Sequence, residues 1–288
     1  MKLIAFQDPV RFQKQLSSFL TQHEAENNLI LVILADLLAG EYQDPPPYLA
    51  AVEDGSKMVL ALICTPSYPL LFSYREERPA DQLVDLVGEE LGKQFGSELR
   101  GMTGDRDLVL PFVRCWTETA GVGHELKMAM RIYQLDRVAP VTGVQGQLRN
   151  AQESDHELMQ EWYEGFMREA MGEHPEQEQV NQQVERFLAG DPRQRGMVFW
   201  EIQGRSVSMA GYSGPTPNGI RIGAVYTPPE QRGNGYASAC VAGLSQQQLN
   251  RGFKYCFLFT DLSNPTSNHI YQQIGYRQVS DVNTYYFR

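Results

Sequence analysis

A β-rich run that breaks into a glycine-bearing loop and then a helix constrains this chain more than any other feature. From residue 225 to residue 237 the sequence is VYTPPEQRGNGYA. At such a junction the first main-chain N–H groups of the helix lack partners, the helix dipole favours negative charge, and glycines let a ligand approach the backbone. The junction therefore predicts a strand-loop-helix unit that binds a phosphate group.

The elements around this loop follow a mixed α/β order. A turn at Gln203-Gly204 separates two runs of strand character. Apolar residues at helical spacing predict helices over 159–170, 177–188, 237–252 and 266–274. Alternating or continuous apolar runs predict strands at 148–149, 198–202, 207–212, 219–226 and 255–260, and a final pair of strands at 277–279 and 284–287.

The first half of the chain repeats this order more faintly. Its patterns predict helices over 12–20, 30–38, 80–91 and 107–116, and strands at 48–52, 58–64, 70–74 and 127–135. Between the halves, residues 137–146 contain Pro140 and two glycines and lack helical periodicity, as a linker does. We therefore expect a duplicated architecture with domains at 1–140 and 146–288.

The two halves differ at the loop itself. Where the second half has its glycines, the first has Arg75-Glu76-Glu77-Arg78-Pro79, with no glycine and with two carboxylates that repel phosphate. The sequence predicts a phosphate site in the second half alone.

Charge and hydropathy exclude several classes of function. The formal net charge of −10 disfavours nucleic acid as a partner, because nucleic-acid binding depends on clustered Lys and Arg. The apolar run from Leu29 to Ala39 contains Asp36 and is shorter than the roughly 18–20 residues of a membrane span. Since Asp8 and Arg11 soon follow the start, no signal-peptide core is expected either. We expect a cytoplasmic protein with no membrane partner, open to cationic or neutral substrates.

The four cysteines are expected to be structural. Cys64, Cys115, Cys240 and Cys256 form no Cys-x-x-Cys pair and lie in apolar segments. The spacing predicts no metal site.

Three phosphate-loop motifs compete for residues 232–238. A Walker A loop needs a Lys after its glycines, and none follows here. A dinucleotide fingerprint needs a third glycine where this chain has Ser238, and it occurs early in a βαβ unit. The remaining form, Gln/Arg-x-x-Gly-x-Gly/Ala, is met from Arg232 to Ala237 and resembles the coenzyme A pyrophosphate loop of the GNAT superfamily of N-acetyltransferases.

A second block strengthens this resemblance. Residues 264–276 read NPTSNHIYQQIGY, which looks like the family's Asn followed by a helix with Tyr-x-x-x-Gly-Tyr/Phe. The resemblance covers 146–288 well, and the doubled order resembles tandem-GNAT proteins whose N-terminal half is degenerate. It implies an α/β fold of the α+β mixed-sheet kind: two tandem GNAT-like domains, each a central mixed, mostly antiparallel sheet flanked by helices.

The resemblance also assigns a cofactor site. In the implied fold the strands ending near Tyr226 and Thr260 diverge, and the pantetheine arm of acetyl-CoA lies between them. The main chain of Val225 and Thr227, on either side of Tyr226, would hold pantetheine and polarise the thioester carbonyl. The diphosphate would be held by the N–H groups of Arg232, Gly233, Asn234, Gly235, Tyr236 and Ala237, with the Ser238 hydroxyl beside them.

The candidate catalytic residue is Tyr271, which matches the family tyrosine that protonates the departing thiolate. The alternative is a core tyrosine packed on Ile274. Asn264 and Asn268 would bind the cofactor or cap the short helix, and both interpretations stay open. His269, two residues from Tyr271 on a helix, faces another way. Candidate bases or water anchors are Glu161, Glu164, Glu169, Glu173 and Glu201, each of which also fits a solvated surface charge.

The resemblance implies an acyl-CoA-dependent N-acyltransferase that moves acetyl from acetyl-CoA to a primary amine by direct attack in a ternary complex, without a metal. The acceptor would be a small-molecule or peptide amine. The alternative is a non-catalytic acyl-CoA-binding or sensing module. The oligomeric state stays open, with a homodimer among the alternatives.

Overall fold

The computed structural model describes residues 1–40, 45–66, 68–74, 79–191 and 193–288, which form two compact units. The first unit comprises Met1–Ile132 and Val279–Arg288, and the second comprises Tyr133–Gln278. The domain limits predicted from the sequence, 1–140 and 146–288, differ from the boundaries of these two units. They stay a prediction. The predicted charged loop of the first half, Arg75–Arg78, lies outside the described residues.

The first unit is a sheet with helices on both faces. In chain order its elements are β1 Lys2–Phe6, α1 Pro9–Thr21, α2 Asn28–Leu38, β2 Tyr48–Asp54, β3 Lys57–Cys64, β4 Leu70–Tyr74, α3 Asp81–Phe95, β5 Gly101–Asp105, α4 Arg106–Ala120, the start of β6, His124–Leu135, and most of the last strand, β12 Arg277–Phe287. Its strands are hydrogen-bonded in the order β1-β2-β3-β4-β5-β12, antiparallel except for the parallel pair β4 and β5.

The alternation of β2 shows how the two faces of this sheet are filled. Ala50 and Val52 pack in one core with α3 and α4, whereas Leu49 and Ala51 pack in another with α1 and α2. Because successive side chains of a strand point to opposite faces, a strand made of apolar residues is buried on both sides.

The second unit has the same layered plan. Its elements are β7 Gln147–Asn150, α5 His156–Phe166, α6 Gln177–Ala189, β8 Arg195–Ile202, β9 Arg205–Pro215, β10 Gly219–Tyr226, α7 Tyr236–Asn250, β11 Tyr255–Asp261, α8 Pro265–Ile274 and the start of β12, Arg277–Phe287. The strands follow the order β11-β10-β9-β8-β7, antiparallel except for β10 with β11.

Turns and caps follow the local sequence. Gln203 and Gly204 both have positive φ, 49° and 76°, which is the conformation that two-residue hairpin loops require. Asn264 caps α8 by accepting a hydrogen bond from the Ser267 N–H at 3.0 Å, and Gly275 ends that helix in the left-handed conformation. These signals end β8 at Ile202 and α8 at Ile274, as the sequence predicts, whereas β9 begins two residues before its predicted start.

The structure corrects one element and adds two. The final pair of strands predicted at 277–279 and 284–287 is wrong, since β12 is a single strand from Arg277 to Phe287. The polar stretch between the two predicted strands is paired with β5, and its Asp281 is buried against the guanidinium groups of Arg131 and Arg106 at 2.7 Å each. The strands β1 and β5 were not predicted.

Candidate active site

Two neighbouring strands of the second unit diverge after a short region of pairing. β10 and β11 run parallel and pair at Gly219 with Tyr255, Ile220 with Cys256, and Arg221 with Phe257. Among the described residues, the rest of these two strands has no further pairing with the other. The two carboxyl ends, 222–226 and 258–261, are therefore not paired with each other, which leaves a gap between the two strands.

A β-bulge distorts β10 next to this gap. In the pairing with β9, Gly223 opposes Gly211 and Tyr226 opposes Met209, so Ala224 and Val225 share one partner position. Ala224 has a φ of 47°, which is uncommon for a residue with a Cβ. Such bulges re-aim the backbone and are frequent beside active sites, and this one removes Val225 from regular pairing where the strands part.

The glycine loop that follows is shaped for close approach. Gly233 and Gly235 have φ of 80° and 78°, in the left-handed region where side chains are strained. A Cβ on Gly235 would lie 2.9 Å from Val144 Cγ2, whereas a Cβ on Gly233 would meet open space. Hence both positions favour glycine for conformation, and the second favours it for space as well.

The main-chain N–H groups after Arg232 are available to a ligand. In the part of the chain that the structure describes, no group accepts a hydrogen bond from the N–H groups of residues 233–238. The first helical bond in this region is donated by Ala239 to the Gly235 carbonyl at 3.0 Å. Six donors without a protein acceptor thus lie at the start of a 15-residue helix, which is the arrangement that binds phosphate.

A cleft of about 560 Å³ joins the loop, the end of β10 and α8. Of the thirteen site residues predicted from the sequence, eleven line it: Val225, Tyr226, Thr227, Arg232, Gly233, Gly235, Tyr236, Ala237, Ser238, Asn264 and Tyr271. The other two, Asn234 and Asn268, do not line it. The Asn234 side-chain amide donates to the carbonyls of Gln231 and Arg232.

Tyr271 fits both interpretations that the sequence left open. Its ring lies in the apolar core beside Tyr133 and Tyr276, with ring centroids 6.3 and 6.0 Å away, and Ile274 shares that core. It also lines the cleft, and no described residue forms a hydrogen bond with its hydroxyl. Burial raises the pKa of Tyr271 to about 12. The phenol therefore keeps its proton at neutral pH and can donate it to a group in the cleft.

Asn264 and Asn268 both form side-chain hydrogen bonds that stabilise the start of α8. Asn264 caps α8, as described above. The Asn268 side-chain amide donates to the Asp261 and Asn264 carbonyls at 2.9 and 2.7 Å, and its oxygen accepts from the Tyr133 hydroxyl at 3.1 Å. Asn268 therefore ties α8 to the end of β11, and Asn264 reaches the cleft as well as capping the helix.

An ion pair and a tyrosine stand at one side of the cleft. The Arg232 guanidinium donates to Glu169 Oε2 at 2.6 Å and to the Thr227 carbonyl at 2.8 Å, and it lies 5.8 Å from the centroid of the Tyr226 ring. The Tyr226 hydroxyl donates to Glu169 Oε1 at 3.3 Å. Burial and the nearby Glu169 raise the pKa of Tyr226. Glu169 lies in a π-helical turn after α5, Met167–Met171, an irregularity that is frequent at functional sites.

The other candidate bases lie elsewhere. Glu201 accepts from Arg149 at 2.6 Å and belongs to an ion-pair network that also includes Asp155. Glu161, Glu164 and Glu173 are exposed and do not line the cleft. His269 is exposed on α8, as the sequence predicts.

The cysteines are unsuited to nucleophilic catalysis. All four are free, and Cys240 and Cys256 are buried in the core of the second unit. Burial raises the pKa of both thiols to about 12, which keeps them protonated and unreactive at neutral pH.

The described residues contain neither a helix that could span a membrane nor a cluster of metal-binding side chains. None of the described helices combines the length and apolar character needed to cross a membrane. No group of three or more described His, Cys, Asp or Glu side chains is arranged to hold a metal ion.

Sequence reasoning missed part of the cleft wall. Phe166 and Ala170, with Glu169 between them, contribute from the end of α5 and the π-helical turn. Their spacing of three to four residues puts them on one side of a helix, but the sequence does not show which side of that helix faces the loop. Gln231, Thr266, Ser267 and Ile270 complete the lining.

Comparisons with known proteins agree with this geometry. Residues 156–276 match the model of the acetyltransferase (GNAT) family. A solved GCN5-related N-acetyltransferase from Sphaerobacter thermophilus is similar with a TM-score of 0.62 at 16% identity, over 99% of this chain and 95% of that chain. An acetyltransferase of the GNAT family from Colwellia psychrerythraea gives a TM-score of 0.57 at 12% identity, over 100% of both chains.

A tandem GNAT protein from the clavulanic acid biosynthesis pathway gives a TM-score of 0.53 at 12% identity, over 100% of this chain and 98% of that chain. No curated protein sequence matches the chain. At these identities the likeness concerns the fold, and it confirms the expected class of mixed α/β with two tandem GNAT-like domains.

Proposed function

We propose that the second unit transfers an acyl group from acyl-CoA, most simply acetyl from acetyl-CoA, to a primary amine, because residues 156–276 match the model of the acetyltransferase (GNAT) family. The observation that carries this proposal is the set of unpaired N–H groups at 233–238 beside the gap between β10 and β11. A diphosphate and an extended thiol arm need such donors and such a gap.

The residues present fit this cosubstrate. The helix start offers main-chain donors and a favourable dipole for the diphosphate, and Gly233 presents open space where a Cβ would stand. Ser238 lines the same cleft and adds a hydroxyl. Beside the gap, Val225 and Thr227 provide main-chain groups for the thiol arm, and the bulge at Ala224 supports this assignment because it interrupts regular pairing there.

The cosubstrate and the chain contribute different parts of the reaction. When bound, acetyl-CoA supplies an acyl group activated as a thioester. Main-chain N–H groups near Val225 are placed to stabilise negative charge on an acyl oxygen. Tyr271 holds a proton in an apolar, partly enclosed position and donates it to a sulfur leaving group. A neutral amine forms the new C–N bond as the C–S bond breaks, and the proton that its nitrogen loses balances the one that Tyr271 gives to the sulfur.

Direct attack by the amine is the simplest route. A route through a covalent enzyme intermediate needs a nucleophile, and the buried thiols of Cys240 and Cys256 remain protonated at neutral pH. We therefore propose a ternary complex in which amine and acyl-CoA are bound together.

The test is a thiol-release assay with acetyl-CoA and a panel of amines, run alongside calorimetric titration of acetyl-CoA. The proposal expects saturable acetyl-CoA binding and amine-dependent release of free thiol. Binding without release from any amine would favour the alternative of a non-catalytic acyl-CoA-binding module. Absence of binding, together with no thermal stabilisation by coenzyme A, would contradict both.

A further inference from the structure

The guanidinium of Arg232 is surrounded by groups that can bind a cation. Around it are the Glu169 carboxylate at 2.6 Å, the Thr227 carbonyl at 2.8 Å and the face of the Tyr226 ring at 5.8 Å. Carboxylate, carbonyl and aromatic face are the groups that recognise ammonium and guanidinium ions in proteins. The chain's own side chain thus marks a place in the cleft where a positive charge is stabilised.

Tyr226 is held firmly in this arrangement. A Cβ on Gly165 would lie 2.6 Å from Tyr226 Cζ, so the ring packs directly on the backbone of α5. Trp162 packs at a ring-centroid distance of 6.3 Å, and the Tyr226 hydroxyl orients Glu169 by donating to it. The aromatic face and the carboxylate are therefore positioned by the fold.

The bond between Arg232 and Glu169 is readily exchanged. Their side chains are 46% and 37% exposed, and ion pairs with this degree of solvent contact contribute little to stability. A ligand that brings its own cation can therefore replace the guanidinium at small cost.

The two sides of the cleft favour ligands of opposite charge. Among the described residues that line the cleft, those with an Asp, Glu, Lys or Arg side chain are Glu169 and Arg232. The loop side presents the N–H groups of 233–238 and favours an anion. A diphosphate bound there would also attract Arg232, leaving Glu169 as an unmatched negative charge on the other side.

From this we infer that the acceptor of the proposed reaction carries a positive charge on a group other than its attacking nitrogen, and that the carboxylate of Glu169 and the ring of Tyr226 recognise this charge in place of Arg232. The attacking nitrogen is itself a neutral amine, because a protonated amine has no lone pair with which to attack. This inference rests on the proposed function and names its substrate class. Glu169 is here a specificity residue, distinct from the groups assigned to the diphosphate and to the leaving group.

The surrounding charge is consistent with such an acceptor. Residues 153–189, which include α5, the π-helical turn and α6, contain ten Asp or Glu and two Arg. A field of one sign around a cleft raises the local concentration of ligands of the opposite sign. This stretch would steer a cation toward the cleft that Glu169 lines.

The experiment compares Glu169→Gln with Glu164→Gln, the same change at an exposed position that does not line the cleft. Thiol release from acetyl-CoA is measured with putrescine, which keeps a second ammonium group when its attacking nitrogen is neutral, and with n-butylamine, which has the same carbon chain and no second charge. For Glu169→Gln we expect kcat/KM to fall at least tenfold with putrescine, mainly through KM, and to change less than about twofold with n-butylamine. Glu164→Gln should match the wild type with both amines.

Equal values for Glu169→Gln and the wild type with putrescine would overturn the inference, as would an equal loss with n-butylamine. Should neither amine be turned over, calorimetric titration of putrescine into the protein saturated with coenzyme A decides. The inference then requires binding that Glu169→Gln weakens at least tenfold, and it is overturned when putrescine does not bind or binds the variant equally. In either case the proposed function is judged separately, by acetyl-CoA binding and by thiol release with other amines.

Discussion

Gly233 and Gly204 form a natural pair for testing the loop at the scale of single residues. Their φ angles are 80° and 76°, and a Cβ on either would meet no atom within 4 Å. Alanine at either position alone should therefore lower the free energy of unfolding by about 1 kcal/mol through backbone strain. Only Gly233 lies in the cleft, so Gly233→Ala should also weaken acetyl-CoA binding at least tenfold, as calorimetry would show.

Gly204→Ala supplies the control, because its turn joins β8 to β9 away from the cleft. Urea unfolding should show similar losses for the two variants, while the acetyl-CoA affinity of Gly204→Ala stays that of the wild type. An unchanged affinity in Gly233→Ala would contradict the role given to the loop.

Tyr271 offers a second prediction at this scale. Tyr271→Phe removes only the hydroxyl proposed as the acid, so kcat should fall roughly 100- to 10,000-fold with acetyl-CoA affinity nearly unchanged. Tyr276→Phe removes a comparably buried hydroxyl that bonds to Ser245 at 2.8 Å, and it should lower stability without a comparable loss of kcat. Equal kcat in Tyr271→Phe and the wild type would leave Tyr271 as a core residue.

The same tyrosine predicts a pH dependence. A general acid loses activity as pH rises through its pKa, and burial raises that pKa to about 12 for Tyr271. The acidic form is thus fully present at pH 10, where an unperturbed phenol would be half ionised. The kcat profile should show no alkaline fall centred at pH 10, and a fall there that is absent in Tyr271→Phe would contradict the assignment.

At the scale of elements, Arg149 ties three pieces of the second unit together. From β7 it donates to Glu201 of β8 at 2.6 Å and to Asp155, just before α5, at 2.7 and 3.0 Å. The two carboxylate side chains are only 15% and 11% exposed. Arg149→Gln should therefore cost about 2 kcal/mol in urea unfolding at pH 7, because it leaves poorly solvated charges without a partner.

This cost should depend on pH in a definite direction. The hydrogen bond from Arg149 lowers the pKa of Asp155 below its usual 3.8. A lowered carboxyl pKa contributes stability that is fully present above about pH 4 and is lost as pH falls through the lowered value. The difference between Arg149→Gln and the wild type should accordingly shrink when unfolding is measured near pH 2.

The exposed pair of Arg277 and Asp136, also 2.6 Å apart, is the matched control. Arg277→Gln should leave the urea midpoint at pH 7 unchanged, because a solvated pair contributes little. A loss as large as that of Arg149→Gln would show that burial is not what distinguishes the two pairs.

Most elements could be predicted from periodicity and caps, and the exceptions have particular causes. β5 contains two glycines and little β propensity, yet a Cβ on Gly101 would lie 2.2 Å from the Tyr285 carbonyl and one on Gly104 would lie 2.2 Å from the Phe72 ring. Close packing by distant residues therefore requires these glycines. In β12, the polar stretch around Asp281 suggested a break, but its charge is neutralised by arginines far away in sequence.

At the scale of the whole molecule, we expect one acyl-CoA site per chain. The glycine loop occurs in the second half, whereas residues 75–79 of the first half carry two carboxylates and no glycine. Calorimetric titration of the full chain with acetyl-CoA should give a stoichiometry of one. A stoichiometry of two would contradict the asymmetry between the halves.

The site was only partly predictable at this scale. The loop, Tyr271 and Asn264 belong to short motifs whose function depends on local backbone, and the structure places them along one cleft. The contribution of Phe166, Glu169 and Ala170 depends on how α5 lies against β10, which arises from tertiary packing such as that of Tyr226 on Gly165. One sequence contains no signal for that orientation.

A crystal structure of the full chain with acetyl-CoA is the direct test of the proposed cosubstrate site. We expect diphosphate oxygens within hydrogen-bonding distance of the N–H groups of residues 233–238, and the thiol arm between the separated ends of β10 and β11. Density for the cosubstrate elsewhere, or those N–H groups bonded to protein with β10 and β11 paired along their length, would contradict it.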